Sequence, residues 1–276
     1  MHINRSIVLL VGLGILSTGS ILQAETMAIL KNPVLEITRV QNEIIIDGDL
    51  TEIEWGQARG TDYFLEIDPG ENITPPEKTE VKVAYDDQNL YVAFWAFADP
   101  KDIRASFQKR DQAWMDDWVA IFLDTYGDAN TGTMIGANPY GIQMDAKNNG
   151  GGNDDPTFDL VYESKGKITD KGYQVEMAIP FSSLSFPDKE VQEWKVGFYR
   201  SLPREKRSQI LWGGFDRTNP CFLCQMGTLI GIQGIKQMGN FEFLPAIVGS
   251  QVSELDQNNK LKKGTAAGEA SLGIKY

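Results

Sequence analysis

Histidine is nearly missing from this chain: 276 residues hold one, His2. His2 lies in a segment that reads as an export signal, so the mature chain is expected to have none. That removes Ser-His and Cys-His nucleophilic pairs. It also removes nearly all catalytic zinc sites and histidine-ligated haem. Cysteine is almost as scarce, with Cys221 and Cys224 alone, in NPCFLCQ. Without a second pair or a histidine, a zinc site has little to stand on. Pro220 before and Gly227 after read as a loop, not as the strand-to-helix turn of a redox pair. A local disulfide, or two thiols with no chemical task, is what remains. Basic charge is short as well: 26 Lys and Arg face 38 Asp and Glu, for a net charge of -12. Such a surface repels phosphate, which argues against a nucleic-acid partner. Neutral glycans, cations and other proteins stay open as partners.

Long amphipathic helices are absent too. The longest apolar run, Ile7 to Leu22, is interrupted by Gly12, Gly14 and Gly19. It follows Arg5 and precedes Leu22-Gln23-Ala24, a small-residue cut site. The run falls short of the roughly 18 apolar residues that a membrane span needs. Residues 1–24 are therefore expected to be a signal peptide, with an uncleaved anchor as the other reading. Residues 25–35 read as a linker.

What is present is a series of short strands. EVKVAYDDQNLYVAFWAF places Val81, Val83 and Tyr85 in alternation, then Leu90, Val92, Phe94 and Ala96 on one face and Tyr91, Ala93, Trp95 and Phe97 on the other. Asp86 to Asn89 makes the hairpin turn. WVAIFLD repeats the doubly apolar pattern: Val119, Ile121 and Leu123 face one way, Trp118, Ala120 and Phe122 the other. GYQVEMAIPFSSL sets Tyr173, Val175, Met177 and Ile179 inward, with Gln174 and Glu176 toward water, until Pro180 stops the ladder. WKVGFYR turns Trp194, Val196 and Phe198 inward. The pattern predicts an all-β chain, an antiparallel β-sandwich. The one helical signature is in IIIDGDLTEIEW, where Asp49 is a candidate cap, Glu52 lies three residues on and Trp55 is the anchor.

KNNGGGNDD, from Lys147 to Asp155, reads as a polar loop. Its Asn and Asp oxygens, Asp154 and Asp155 foremost, could hold Ca2+, although the ligand ladder of a calcium-binding hand is missing. After Gly231 the texture changes. FEFLPAIVGSQV and EASLGIKY alternate loosely around a polar stretch, and the chain closes on an aromatic with no final turn, as a fragment would. Residues 231–276 are expected to open an outer-membrane β-barrel. An extra edge strand of the sandwich is the other reading.

Taken in order, IDGDLTEIEW, YDDQNLYVAFWAFAD, WMDDWVAIFLD, ANPYGIQMD, GYQVEMAIPFSSLSF, WKVGFYRSLPRE and GTLIGIQGI resemble the family 9 carbohydrate-binding module. They are most similar to its variant at the front of bacterial outer-membrane barrel proteins. The resemblance covers about residues 36–230. It implies a ligand-carrying β-sandwich, a sugar gripped between two aromatics, an exported setting in the periplasm or outer membrane, and a barrel as the domain's partner. By position those aromatics are Trp114 and Phe222. The places where glycan-binding members carry an acid and a base hold Ala120 and Gly136 here. The grip has its own physical logic. An indole covers the apolar C–H face of a sugar while carboxylates accept from its hydroxyls. Trp114 beside Asp111, Asp116 and Asp117 has that chemistry. Its rival role is structural, plugging the sandwich edge or packing on a barrel.

Three functions follow. The first is a non-catalytic glycan-binding module linked to xylan- or cellulose-type polysaccharide. The second is a structural adapter or plug for a barrel. The third is a glycoside hydrolase with paired carboxylates, drawn from Asp124, Asp128, Asp145, Asp159 and Glu176 near strand ends.

Overall fold

A computed structural model describes residues 31–149, 153–237, 242–255 and 260–275. The expected signal peptide lies outside the described residues, and the expected linker is described only from Lys31. Chain order opens with strands β1 (Val34–Glu36) and β2 (Thr38–Arg39), helix α1 (Ile53–Gln57), and strands β3 (Arg59–Thr61) and β4 (Phe64–Asp68). Then come β5 (Thr79–Tyr85), β6 (Asn89–Phe97), β7 (Trp118–Asp124), β8 (Thr131–Ala137), β9 (Gln143–Asn149) and β10 (Asn153–Asp155). Strands β11 (Glu163–Thr169), β12 (Gly172–Pro180), β13 (Val191–Pro203), β14 (Arg207–Trp212) and β15 (Gly227–Gln233) complete the sandwich. A separate pair, β16 (Glu242–Leu255) and β17 (Leu261–Lys275), follows.

Nine strands make one sheet, in the order β1-β15-β13-β7-β8-β9-β10, with β14 bridging β13 to β4. Six make the other, β11-β12-β6-β5-β2, with β3 beside β5. Pairing is antiparallel except at β1–β15 and β2–β5, which are parallel. Those two exceptions come from the opening strands, which pass along both sheet edges before the rest of the chain has turned back. No helix among the described residues is long and apolar enough to cross a membrane.

The period-2 alternation decides which side chain meets which layer. Val119, Ile121 and Leu123 enter the inter-sheet core with Leu90, Val92, Phe94, Val175, Met177, Trp194 and Phe198. The other faces of the doubly apolar strands are covered differently. Tyr91 and Ala93 of β6 lie under the segment carrying Val40, Ile44 and Trp55. Trp118, Ala120 and Phe122 of β7 form a second apolar cluster on the outside of the nine-stranded sheet.

Several expectations need correcting. Glu176 does not face water. It is fully buried and accepts from Trp55 Nε1 at 2.8 Å, Gly48 N at 2.7 Å and Asp47 N at 3.1 Å. A lone residue on a polar strand face is buried because a remote segment lies over it, which local alternation cannot register. Asp49 caps nothing. It pairs with Lys167, and the five-residue helix starts after Glu52, which makes no side-chain cap bond. Trp55, 1% exposed, holds that helix in place of a cap. Of the predicted polar loop, the described residues belong mostly to β9 and β10, paired Asn153↔Asn149 to Asp155↔Lys147.

Candidate functional site

The outer face of the nine-stranded sheet carries a continuous line of rings. Trp114 meets Trp118 edge-on at 5.7 Å, and Trp118 meets Tyr199 at 4.9 Å. Tyr199 leads to Phe122 at 5.9 Å, Phe122 to Phe222 at 5.0 Å, and Phe222 to Phe215 at 5.8 Å. Trp114, Phe222 and Phe215 at the ends are half-buried, while Trp118, Phe122 and Tyr199 between them keep 7–8% of their surface in solvent. Register explains the line. Leu211, Tyr199, Ala120, Gly136 and Met144 lie in one row across five strands. Trp118 and Phe122 flank that row along β7. Its centre holds the small, buried Ala120 and Gly136, and a Cβ on Gly136 would meet Val119 O at 2.8 Å. The Trp118 Nε1–H is buried with no acceptor.

The two end rings arrive on stapled loops. Trp114 Nε1 donates to Asp111 O at 2.8 Å. Asp116 accepts from Ser106 N, Ser106 Oγ and Asn138 Nδ2 at 2.7–2.9 Å. Asp117, wholly buried, accepts from Arg104 N at 2.9 Å and from both terminal nitrogens of Arg204 at 2.9 and 3.2 Å. Asp116 and Asp117, read from sequence as sugar acceptors beside the indole, are turned inward: Asp117 uses both oxygens inside the protein, and Asp116 receives its three bonds on Oδ2. They hold the loop that presents Trp114. At the other end Cys221 and Cys224 form a disulfide. The Gln225 amide donates to the carbonyls of Asp216, Asn219 and Cys221 at 3.1–3.2 Å. Beside Phe215 a cleft of about 360 Å³ opens, walled by Glu71, Asp216 and Asn219 among others.

The remaining acids are also engaged. Asp124 is buried and accepts from Tyr126 N, Gly127 N and Ala129 N, closing the turn after β7. Asp145 is buried between Arg110 and the amide of Leu160; desolvation pushes its pKa up although both partners pull it down. Burial likewise lifts Glu176 to about 7, against the opposing pull of its three donors. Asp128 and Asp159 are exposed. Glu176 lies on β12, in the other sheet from Asp124 and Asp145.

For calcium, Asp154 and Asp155 do not fit a shared ion. Consecutive strand residues point to opposite faces. Asp154 accepts from Asn148 Nδ2 at 2.6 Å, and Asp155 from the Thr157 amide and hydroxyl at 3.0 and 2.7 Å. Asp111, Asp145 and Asp159 bring carboxylate oxygens within 4.8 Å of one another. Arg110, 3.0 Å from Asp159 and also paired with Asp145, already supplies the positive charge there.

Sequence reasoning finds Trp114 at one end of the line and Phe222 near the other, and misses its middle and Phe215. Trp118 and Phe122 were assigned to one face of β7, but only sheet order shows that Tyr199 joins them.

An all-β sandwich with a solvent-reaching aromatic line on one sheet is the class that fold and site define. The family model described as carbohydrate family 9 binding domain-like matches residues 46–207, more than half of the chain, and the chain belongs to that family. Among solved structures it is similar to a candidate carbohydrate-binding protein from Bacteroides uniformis, at 14% identity and a TM-score of 0.57, covering 72% of this chain and 98% of that one. It is also similar to a family 9 carbohydrate-binding module from Caldicellulosiruptor kristjanssonii in complex with cellotriose, at 18% identity and a TM-score of 0.51, covering 75% of this chain and 95% of that one. At such identities the likeness establishes the fold alone. A comparison with curated proteins returned no match.

Proposed function

We propose that this chain is a non-catalytic glycan-binding module of an exported protein, and that a sugar docks on the outer face of the nine-stranded sheet. The carrying observation is the ring line from Trp114 to Phe222, whose partly exposed ends flank the buried rings of Trp118, Tyr199 and Phe122. Aromatic surface matches the C–H faces of pyranose rings, and its ends lie beside polar groups suited to hydroxyls. Glu71, Asp216 and Asn219 supply acceptors at the Phe222 end. With Ala120 and Gly136 at its centre, this face holds a sugar through stacking more than through buried charge. Affinity is then modest, because stacking alone leaves most hydroxyls in water. The similar structure bound to cellotriose supports a cellulose-type chain as ligand, beside the xylan-type chain also expected from the resemblance.

Calorimetric titration with cellohexaose and xylohexaose tests the reading. Trp114→Ala is expected to lose the binding heat that this face contributes with whichever oligomer binds it. Silence of both oligomers with the unaltered chain overturns it.

The exported setting rests on Arg5 followed by the apolar run from Ile7 to Leu22. An outer-membrane barrel after the sandwich is supported by the β16–β17 ladder, which runs from Glu242↔Lys275 to Leu255↔Leu261. Ile247 and Val248 are neighbours on opposite faces, yet they are 87% and 60% exposed. A two-stranded ribbon with apolar groups on both sides is marginal alone and calls for further strands or lipid. Among the described residues no closed barrel is formed. Fractionation of cells producing the chain, with the protein recovered in periplasm or outer membrane, is the expected result.

A further inference from the structure

The opposite face of the sandwich carries a second aromatic cleft. On the outside of the six-stranded sheet, Val40, Ile44, Trp55 and Ala58 cover Tyr91, Ala93 and Ala178. That cover stops at Trp95, which packs against its rim and stays partly exposed. Beyond the rim lies a cleft of about 430 Å³ whose lining includes Glu80, Trp95, Phe97 and Gln174. Register sets Glu80, Trp95 and Gln174 side by side across β5, β6 and β12. In the next row Phe97 faces Gly172, at φ 140, where a Cβ would lie 2.1 Å from Ala96 O. Glycine is required there, so that flank of Phe97 stays open.

The polar groups are arranged around the rings. Lys82 Nζ lies 5.8 Å from the Trp95 centroid and donates to Trp55 O at 2.5 Å. Lys78 Nζ lies 5.7 Å from the Phe97 centroid and 2.6 Å from Glu80. The Gln174 amide makes no side-chain hydrogen bond among the described residues, and nothing in the fold uses it.

We infer that this cleft is a second glycan-binding site, which takes a neutral pyranose. The sugar's C–H face lies on the exposed part of Trp95. Its hydroxyls donate to the Glu80 carboxylate and exchange hydrogen bonds with the free Gln174 amide, while Lys78 and Lys82 offer donors at the margin. A neutral sugar fits better than an acidic one. Lys78 and Lys82 are already engaged, Lys171 in the lining is matched by Asp170, and Glu80, next to Trp95 in the row, repels a uronate. The site shares no residue with the ring line on the other sheet and does not depend on it. Two sites on opposite faces make the module divalent, able to tether two glycan strands.

The test is a titration of the full chain carrying 15N-labelled indoles, with each indole resonance assigned by Trp→Phe variants. Cellohexaose, xylohexaose, mannohexaose and a galacturonate hexamer are added in turn. Saturable movement of the Trp95 resonance with at least one neutral oligomer is expected. Trp114→Ala should leave that titration unchanged, and Trp95→Ala should weaken the corresponding affinity at least tenfold. Gln174→Ala and Glu80→Gln, both near the surface, should weaken it severalfold with an unchanged melting midpoint, which guards against Trp95→Ala simply unfolding the rim. A Trp95 resonance unmoved by all four sugars, or moved only by the galacturonate, overturns the inference. So does a titration that neither Gln174→Ala nor Glu80→Gln alters. Movement at Trp114 alone keeps the first face and removes this one; movement at Trp95 alone does the reverse.

Discussion

Asp117 has no exposed surface and shares its two oxygens between the Arg204 guanidinium and the Arg104 amide. A buried carboxylate in that position acts through geometry: it fixes the loop from which Trp114 projects. Removing it strands Arg204 in a partly buried place, so Asp117→Ala is expected to cost about 3–5 kcal/mol in denaturant unfolding and to lose sugar binding with it. Trp114→Ala should separate the two effects, because the ring is half-exposed and its one hydrogen bond is to a nearby carbonyl. Its unfolding midpoint should move far less than that of Asp117→Ala while sugar binding at this face is lost. Gly136 is a third informative position. Its missing side chain lets β8 lie against Ala120, and Gly136→Ala should cost about 1–3 kcal/mol by overpacking, measured the same way.

At the scale of elements, the Asp47–Gln57 stretch shows how a weak helix is kept. Five residues with no side-chain cap have no stability of their own. Glu176 of β12 gathers the amides of Asp47 and Gly48 and the Trp55 indole into one buried carboxylate. Burial raises its pKa from 4.5 to about 7, and Glu52 adds repulsion in the same direction. The folded state then binds this proton more tightly than the unfolded chain does. Its stabilising contribution is complete below pH 4.5 and is lost as pH rises through about 7. At about 1.36 kcal/mol per pKa unit the loss is at most about 3 kcal/mol. Unfolding free energies of the unaltered chain and Glu176→Gln, compared at pH 5 and pH 8, should differ in slope by up to that amount. The variant should be less stable at pH 5, since an amide presents donors to donors.

At the scale of the molecule, charge and layering act together. A net charge of -12 on one sandwich self-repels, so moderate salt should raise the melting midpoint, and the chain should pass a heparin column unretained at low salt. Retention would contradict the exclusion of polyanionic partners. The two apolar clusters outside the core have different covers. One lies under the chain's own 40–58 segment, and the other is packed by Trp114, Phe215 and Phe222, whose rings stay partly exposed. That asymmetry makes the nine-stranded sheet the first candidate for a ligand and leaves only a margin, at Trp95, on its counterpart.

Much of this was legible along the chain. Alternation in WVAIFLD, GYQVEMAIP and WKVGFYR assigns Ile121, Val175 and Trp194 to the interior, because period 2 is a property of any extended backbone. The scarcity of histidine and of basic charge needs no coordinates either. Phe64–Asp68 was not legible because it is held by pairing with Arg207–Trp212, about 140 residues on, and Glu163–Thr169 because its residues are mostly polar although it forms a tight hairpin with the next strand. Nor could local pattern tell that Asp116, Asp117 and Glu176 turn inward to hold loops, or that Tyr199 closes the gap between Trp118 and Phe122. Sequence by itself determined which residues are extended and which face of each strand is apolar, because those depend on neighbours one or two positions away. Only the tertiary structure decided which apolar face is covered and which carboxylates are consumed, because both depend on segments that fold back from 10 to more than 100 residues away.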